Sequence, residues 1–166
     1  IYKNYNYKLK QRFLPENYMN LSDAQEIYVV LSKYLIDYEK NNRGIPCVIH
    51  GDPVFSNIMI NVYGKIKMID MRGKLGDQYS IFGDGLYDYA KIYQSLCGYD
   101  EVLNNKILSS YYKQRLRTWF ETFIVNKFNK QTLDDIKIIT KSLIFSLIPL
   151  HEEKNRKDLF ELINVV

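Results

Sequence analysis

The sequence predicts a mainly α domain carrying one small β-hairpin, an α+β arrangement. Three observations carry that reading. Apolar residues recur at a 3.6-residue period in several long segments. Two short β-rich runs, Ile58-Met59-Ile60 and Ile66-Lys67-Met68-Ile69, flank a turn that holds Gly64. Only 8 Gly and 4 Pro occur in 166 residues, too few for a loop-rich, collagenous or disordered chain.

The elements follow in order. Residues 1–20 show weak helical spacing at Tyr2, Tyr5, Leu9 and Phe13, and Pro15 breaks it. Ser22 and Gln25 have the spacing of a capping box. Ile27, Val30, Leu31, Tyr34, Leu35 and Tyr38 then form one face of a helix. Asn41-Asn42-Arg43-Gly44 ends it, and Pro46 prevents its resumption. Cys47-Val48-Ile49 reads as a short buried strand leading into His50-Gly51-Asp52-Pro53. Centring the hairpin turn between Tyr63 and Gly64 pairs Ile60 with Lys67 and Ile58 with Ile69. The Gly- and Asp-rich stretch 72–85 reads as loop. Tyr89, Ile92, Tyr93 and Leu96 mark a helix stopping at Gly98. Ile107, Leu108 and Tyr111 start a long helix through Trp119 and Phe123, whose aromatics read mostly as core. Thr132 with Asp135 is expected to cap the next helix, with Ile136, Ile139, Leu143, Ile144 and Leu147 on its apolar face. Pro149 ends it, and Leu159, Phe160 and Ile163 lie on a last short helix.

Charge and cysteine usage bound the function. Lys+Arg 23 against Asp+Glu 19 gives +4, spread along the chain rather than gathered into a stripe, which argues against nucleic acid as a partner. No apolar run reaches the ~18 residues a membrane span needs. No secretory leader pattern is evident. Cys47 and Cys97 are far apart in apolar stretches, so buried free thiols are expected, which suits a cytoplasmic location.

Chemistry concentrates between residues 50 and 70. Asp52 follows a strand and precedes a proline, so it lies on a fixed loop. The expected register sets Asn57 opposite Asp70, with Cβ atoms about 5 Å apart, at the open end of the hairpin. A carboxylate and an amide oxygen, with no His or Cys converging on them, suit Mg²⁺ rather than zinc. A second carboxylate kept off the metal can accept a proton from an alcohol.

His50-Gly51-Asp52-Pro53-Val54-Phe55-Ser56-Asn57 resembles the H-G-D-x-x-x-x-N catalytic loop of the aminoglycoside phosphotransferase and choline kinase superfamily, which shares the protein-kinase-like fold. Ile69-Asp70 is similar to that family's I-D metal motif. Gly83-Asp84-Gly85-Leu86-Tyr87-Asp88-Tyr89-Ala90 resembles its G-D-P-x-x-D-L-A segment. The resemblance implies a kinase-like C-terminal lobe over 21–166 that moves the γ-phosphate of ATP to an alcohol of a small molecule, sugar or glycan precursor. It makes Asp52 the catalytic base, Asn57 and Asp70 the Mg²⁺ ligands, and His50 a loop-shaping member of the catalytic motif. It makes Asp88 a brace of the loop and Asp84 a weaker one. Segments 71–77, 87–99 and 148–151 resemble members found with bacterial surface-polysaccharide genes.

The chain departs from the family's pattern in two places. Met71-Arg72-Gly73-Lys74-Leu75-Gly76-Asp77 lengthens the stretch after Asp70. Arg72 and Lys74 there are open to two readings, a contact to nucleotide phosphate or a solvated loop. The second departure precedes the loop. Only 49 residues come before His50, with no glycine-rich phosphate loop and no strand lysine. The expectation is therefore one lobe of two, with residues 1–20 continuing from a missing N-terminal nucleotide-binding lobe, and with this chain alone inactive. The rival expectation is a kinase-like binding module without turnover. A metal-dependent hydrolase using the same carboxylates is a third.

Overall fold

The computed structural model describes residues 5–18, 20–75, 78–106 and 110–166. Seven α-helices occur among them: α1 (Tyr5–Arg12), α2 (Ala24–Lys40), α3 (Gly85–Cys97), α4 (Tyr99–Leu103), α5 (Ser110–Lys127), α6 (Lys130–Leu147) and α7 (Glu153–Val165). The strands form three separate antiparallel pairs. They are β1 (Pro46–Val48) with β6 (Phe82–Asp84), β2 (Ile58–Ile60) with β3 (Ile66–Met68), and β4 (Lys74–Leu75) with β5 (Gln78–Tyr79). A mainly α chain with small β elements is thus what forms.

Helix α6 is the axis of the core and packs against α1, α2, α3, α5 and α7. Its Ile136, Ile139, Ile144 and Phe145 are fully buried together with Leu35, Ala90, Ile124 and Leu159. Burying an aliphatic side chain of this size contributes roughly 1.5–3 kcal/mol, which offsets the ordering of its helix. The N-terminal segment belongs to this core. Tyr18 stacks on Phe145 with ring centroids 4.6 Å apart, and its hydroxyl donates to the Phe145 carbonyl at 2.8 Å.

Several expectations are corrected. The hairpin pairs Ile58 with Met68 and Ile60 with Ile66, one residue out of the expected register. The connection is a three-residue loop ending in Gly64 at φ 75° rather than a two-residue turn. Asn61 dictates this, since its side-chain oxygen accepts from the Tyr63 and Lys65 amides. Ser22 and Gln25 form no capping box, because the N-cap of α2 falls one residue later, on Asp23, which is left-handed and makes no side-chain cap. The cap of α6 is Asn129, whose side chain accepts from the Thr132 amide at 2.8 Å. Asp135 is instead buried, holding Tyr34 and Arg43.

The stretch 72–85 is not all loop. Gly83 lets β6 lie against β1, since a Cβ there would meet the Ile49 side chain at 2.4 Å. Cys47 is half-exposed rather than buried, whereas Cys97 is buried and its thiol is pushed up to about 11 by burial. Tyr111, Tyr112 and Trp119 on α5 are exposed, so the tyrosines and tryptophan of that helix are not core, whereas its Phe120 is buried. Ile107 and Leu108, expected to start it, lie outside the described residues.

Candidate functional site

Residues 50–57 form a loop pinned from three sides. Helix α3 supplies the first anchor. The Asp88 carboxylate accepts the His50 amide at 2.7 Å and the Gly51 amide at 2.9 Å. Both are orphan donors on a loop with no ladder to join, and a charged acceptor satisfies them strongly. Two further α3 residues share the work. Lys91 places its ammonium 2.9 Å from Asp52 Oδ1, and the Ser95 hydroxyl accepts the Phe55 amide at 3.0 Å. Positions 88, 91 and 95 stand three and seven apart, on one face of a helix. Sequence reasoning found Asp88 and missed Lys91 and Ser95. The available signal was a line of polar residues at helical spacing among the apolar ones.

The loop also closes on itself. The Asn57 side-chain amide donates to the Asp52 carbonyl at 2.9 Å, which leaves Asn57 Oδ1 as the ligand-accepting atom. His50 Nδ1 accepts the Asp52 amide at 3.3 Å, and its Nε2 is buried without a hydrogen-bond partner among the described residues. His50 therefore shapes the turn around Asp52 by a backbone contact.

The third anchor is the strand end carrying Asp70. The Ile69 amide donates to the Asn57 carbonyl at 3.0 Å, and the Arg72 amide to the His50 carbonyl at 2.9 Å. Asp70 lies between these two bonds, exposed, at φ 58°. Asn57 is therefore adjacent to Ile69 rather than directly opposite Asp70, as the register correction requires. Asp70 shares this left-handed conformation with Asp23, Asn42 and Asn105, and Asp and Asn are the side chains that adopt it most readily. Among the described residues no three His, Cys, Asp or Glu side chains converge as a metal site. An amide oxygen and a carboxylate of the Asn57 and Asp70 kind are hard donors, the type that suits a cation completing its shell with water and phosphate.

Arg72 rests on this loop rather than in solvent. Its guanidinium lies 5.0 Å from the Tyr87 ring centre, and its Cβ sits where a Gly51 side chain would be. Lys74 is exposed on β4, with its ammonium 5.9 Å from the Tyr79 ring centre. Asp84 lies behind the loop as the cap of α3, accepting from the Leu86 and Ile45 amides and from the hydroxyls of Tyr5 and Tyr38. On the other side of Asp52 stands Tyr99, over whose ring Lys91 lies at 5.8 Å. Burial, and after it the charges of Asp52 and Asp100, push the Tyr99 phenol up to about 12. The Tyr99 hydroxyl is 3.5 Å from His151 Nε2.

No protein-family model matches the chain, and neither a curated protein nor a solved structure matches it significantly. Among the described residues no helix is long and apolar enough to cross a membrane.

Proposed function

We propose that this chain carries the catalytic lobe of a kinase-like phosphotransferase, moving the γ-phosphate of a nucleotide, ATP, to an alcohol. The observation that carries the reading is the loop 50–57. It presents one half-exposed carboxylate, Asp52, from a backbone held by Asp88, with the Asn57 side chain bonded to the Asp52 carbonyl and the chain on either side of Asp70 bonded to the same loop. The resemblance of residues 50–57, 69–70 and 83–90 to the aminoglycoside phosphotransferase and choline kinase superfamily supports it from the sequence side. Mg²⁺ held by Asn57 Oδ1 and Asp70 supplies neutralisation of phosphate charge when bound.

The remaining steps belong to the chain's own residues. The acceptor oxygen attacks the γ-phosphorus, and the bond from that phosphorus to the β,γ-bridging oxygen breaks. The bond's electron pair leaves with the nucleoside diphosphate. Asp52 orients the attacking hydroxyl and receives its proton. In a loose phosphoryl-transfer transition state, orientation contributes more than base strength. His50, Asp88 and Ser95 act by fixing the loop.

The test uses the full-length protein and Mg·ATP, with ADP release followed against a panel of sugars, amino alcohols and glycan precursors. Asp52→Asn is expected to lower turnover by roughly 100-fold or more while the thermal midpoint stays near that of the wild type. Wild-type turnover in that variant would refute the assignment.

A further inference from the structure

Resting on that reading, we infer that Lys91 is a positioning residue for phosphoryl transfer, which holds Asp52 by one oxygen and leaves the other free for the acceptor hydroxyl. The division of the carboxylate is visible in its exposure. The Asp52 side chain is 42% exposed overall, whereas its Oδ1 is buried. The open part of the carboxylate is therefore the Oδ2 side. The Lys91 ammonium lies 2.9 Å from Oδ1 as an ion pair, on a side chain only 9% exposed, and Oδ1 has no hydrogen-bond partner among the described residues.

A stabilising role alone accounts poorly for this pair. Exchanging water for a protein carboxylate around a buried ammonium yields little net stability, because desolvation cancels most of the attraction. The Asp52 backbone is already fixed without it, by His50 on the amide side and Asn57 on the carbonyl side. What those bonds leave undetermined is the rotation of the carboxylate about its own side-chain bonds. Lys91 removes that freedom. It approaches from α3, the helix that already holds the loop through Asp88 and Ser95, so backbone and side chain are referenced to one rigid element. A reacting group misplaced by about 1 Å can cost about 100-fold in rate. Lys91 also offsets the charge of Asp52, which would otherwise face an incoming anionic phosphate. The bonds made and broken are those of the transfer itself.

The experiment measures ADP release from Mg·ATP by the full-length protein with water as the acceptor, so that no acceptor need be known. Lys91→Met is expected to lower kcat about 100-fold with KM for Mg·ATP within about threefold, and Lys91→Arg to recover to within about tenfold of wild type. In an Asp52→Asn background, Lys91→Met should add less than about twofold, because its effect passes through Asp52. An equal fractional loss in both backgrounds would mean a merely structural lysine and overturn the inference. So would a Lys91→Met variant at the wild-type rate. Lys91→Gln takes the same comparison if the methionine variant does not fold. If Asp52→Asn leaves wild-type ADP release unchanged, the phosphotransferase reading fails and takes this inference with it. If Asp52→Asn is impaired and the lysine variants are not, the inference alone fails.

Discussion

The Asp84 carboxylate binds the Tyr5 hydroxyl at 2.9 Å across 79 residues of sequence, tying α1 to the start of α3. The same carboxylate accepts from the Tyr38 hydroxyl and from the Ile45 and Leu86 amides, and Asp84 is 2% exposed. Four donors from four parts of the chain converge on two oxygens. Removing such an acceptor strands buried donors, each at a cost of about 1–3 kcal/mol. Asp84→Ala is therefore expected to lose about 3 kcal/mol or more in urea denaturation. Tyr5→Phe, which removes one donor and leaves Asp84 three others, should lose about 1 kcal/mol. A smaller loss for Asp84→Ala than for Tyr5→Phe would contradict this hub.

The buried phenols make stability fall at alkaline pH. Burial, followed by the bond to Asp135, pushes Tyr34 up to about 12, and Tyr5, Tyr38 and Tyr93 are raised further, with burial the first cause in each. Cys97 is raised to about 11 by burial. In the unfolded chain a thiol ionises near pH 8.5 and a phenol near about 10. Above those values the unfolded state binds fewer protons than the folded one, so stability declines with rising pH. The loss should begin near pH 9 through Cys97 and steepen past about 10 through the tyrosines. Urea midpoints recorded at about pH 8, 9.5 and 11 test this, and a flat profile would sink it.

The helices of the core were legible because burial repeats at the helical period, as Leu31, Leu35 and Tyr38 do on α2 and Ile136, Ile139 and Leu143 do on α6. The strand β6 was not. Its Gly83 and Asp84 have poor strand propensity, and its partner β1 lies more than thirty residues away. What holds it is the absence of a side chain at Gly83, a property of the assembled pair. The hairpin was legible but its register was not, because the bonds from Asn61 lengthen the turn by one residue. At the candidate site, Asp52, Asn57 and Asp70 stood out by their places around the hairpin, and Asp88 by the resemblance of residues 83–90. Lys91 and Ser95 did not, since their positions on α3 matter only once the loop is docked against it.

Gly51 occupies the tightest point of the loop. Its φ is +84°, and a Cβ would sit 2.8 Å from the Arg72 Cβ. Both facts oppose a side chain, one through backbone strain and one through a clash that only movement of β-strand-flanking backbone could relieve. Gly51→Ala is expected to cost about 2 kcal/mol or more by denaturant titration, and on the proposed reading to lower turnover as well. Gly64→Ala provides the contrast. It shares the positive φ but meets nothing within 4 Å, so its cost should be near 1 kcal/mol. Equal costs at the two positions would show that the approach of Arg72 does not constrain the loop.

Asp70 separates backbone from ligand chemistry. Its carboxylate is exposed and forms no hydrogen bond or ion pair with the described residues, so folding does not depend on its charge. Its left-handed φ of 58° is a conformation that asparagine tolerates as well as aspartate. Asp70→Asn should therefore keep the thermal midpoint within about 2 °C of wild type. On the proposed reading, the same change removes the one negative charge from the two side chains that hold Mg²⁺. Calorimetric titration of the full-length protein with Mg·ADP should then show binding at least about tenfold weaker, while metal-free ADP binds as before. Unchanged Mg·ADP affinity in a folded Asp70→Asn protein would remove Asp70 from the metal site.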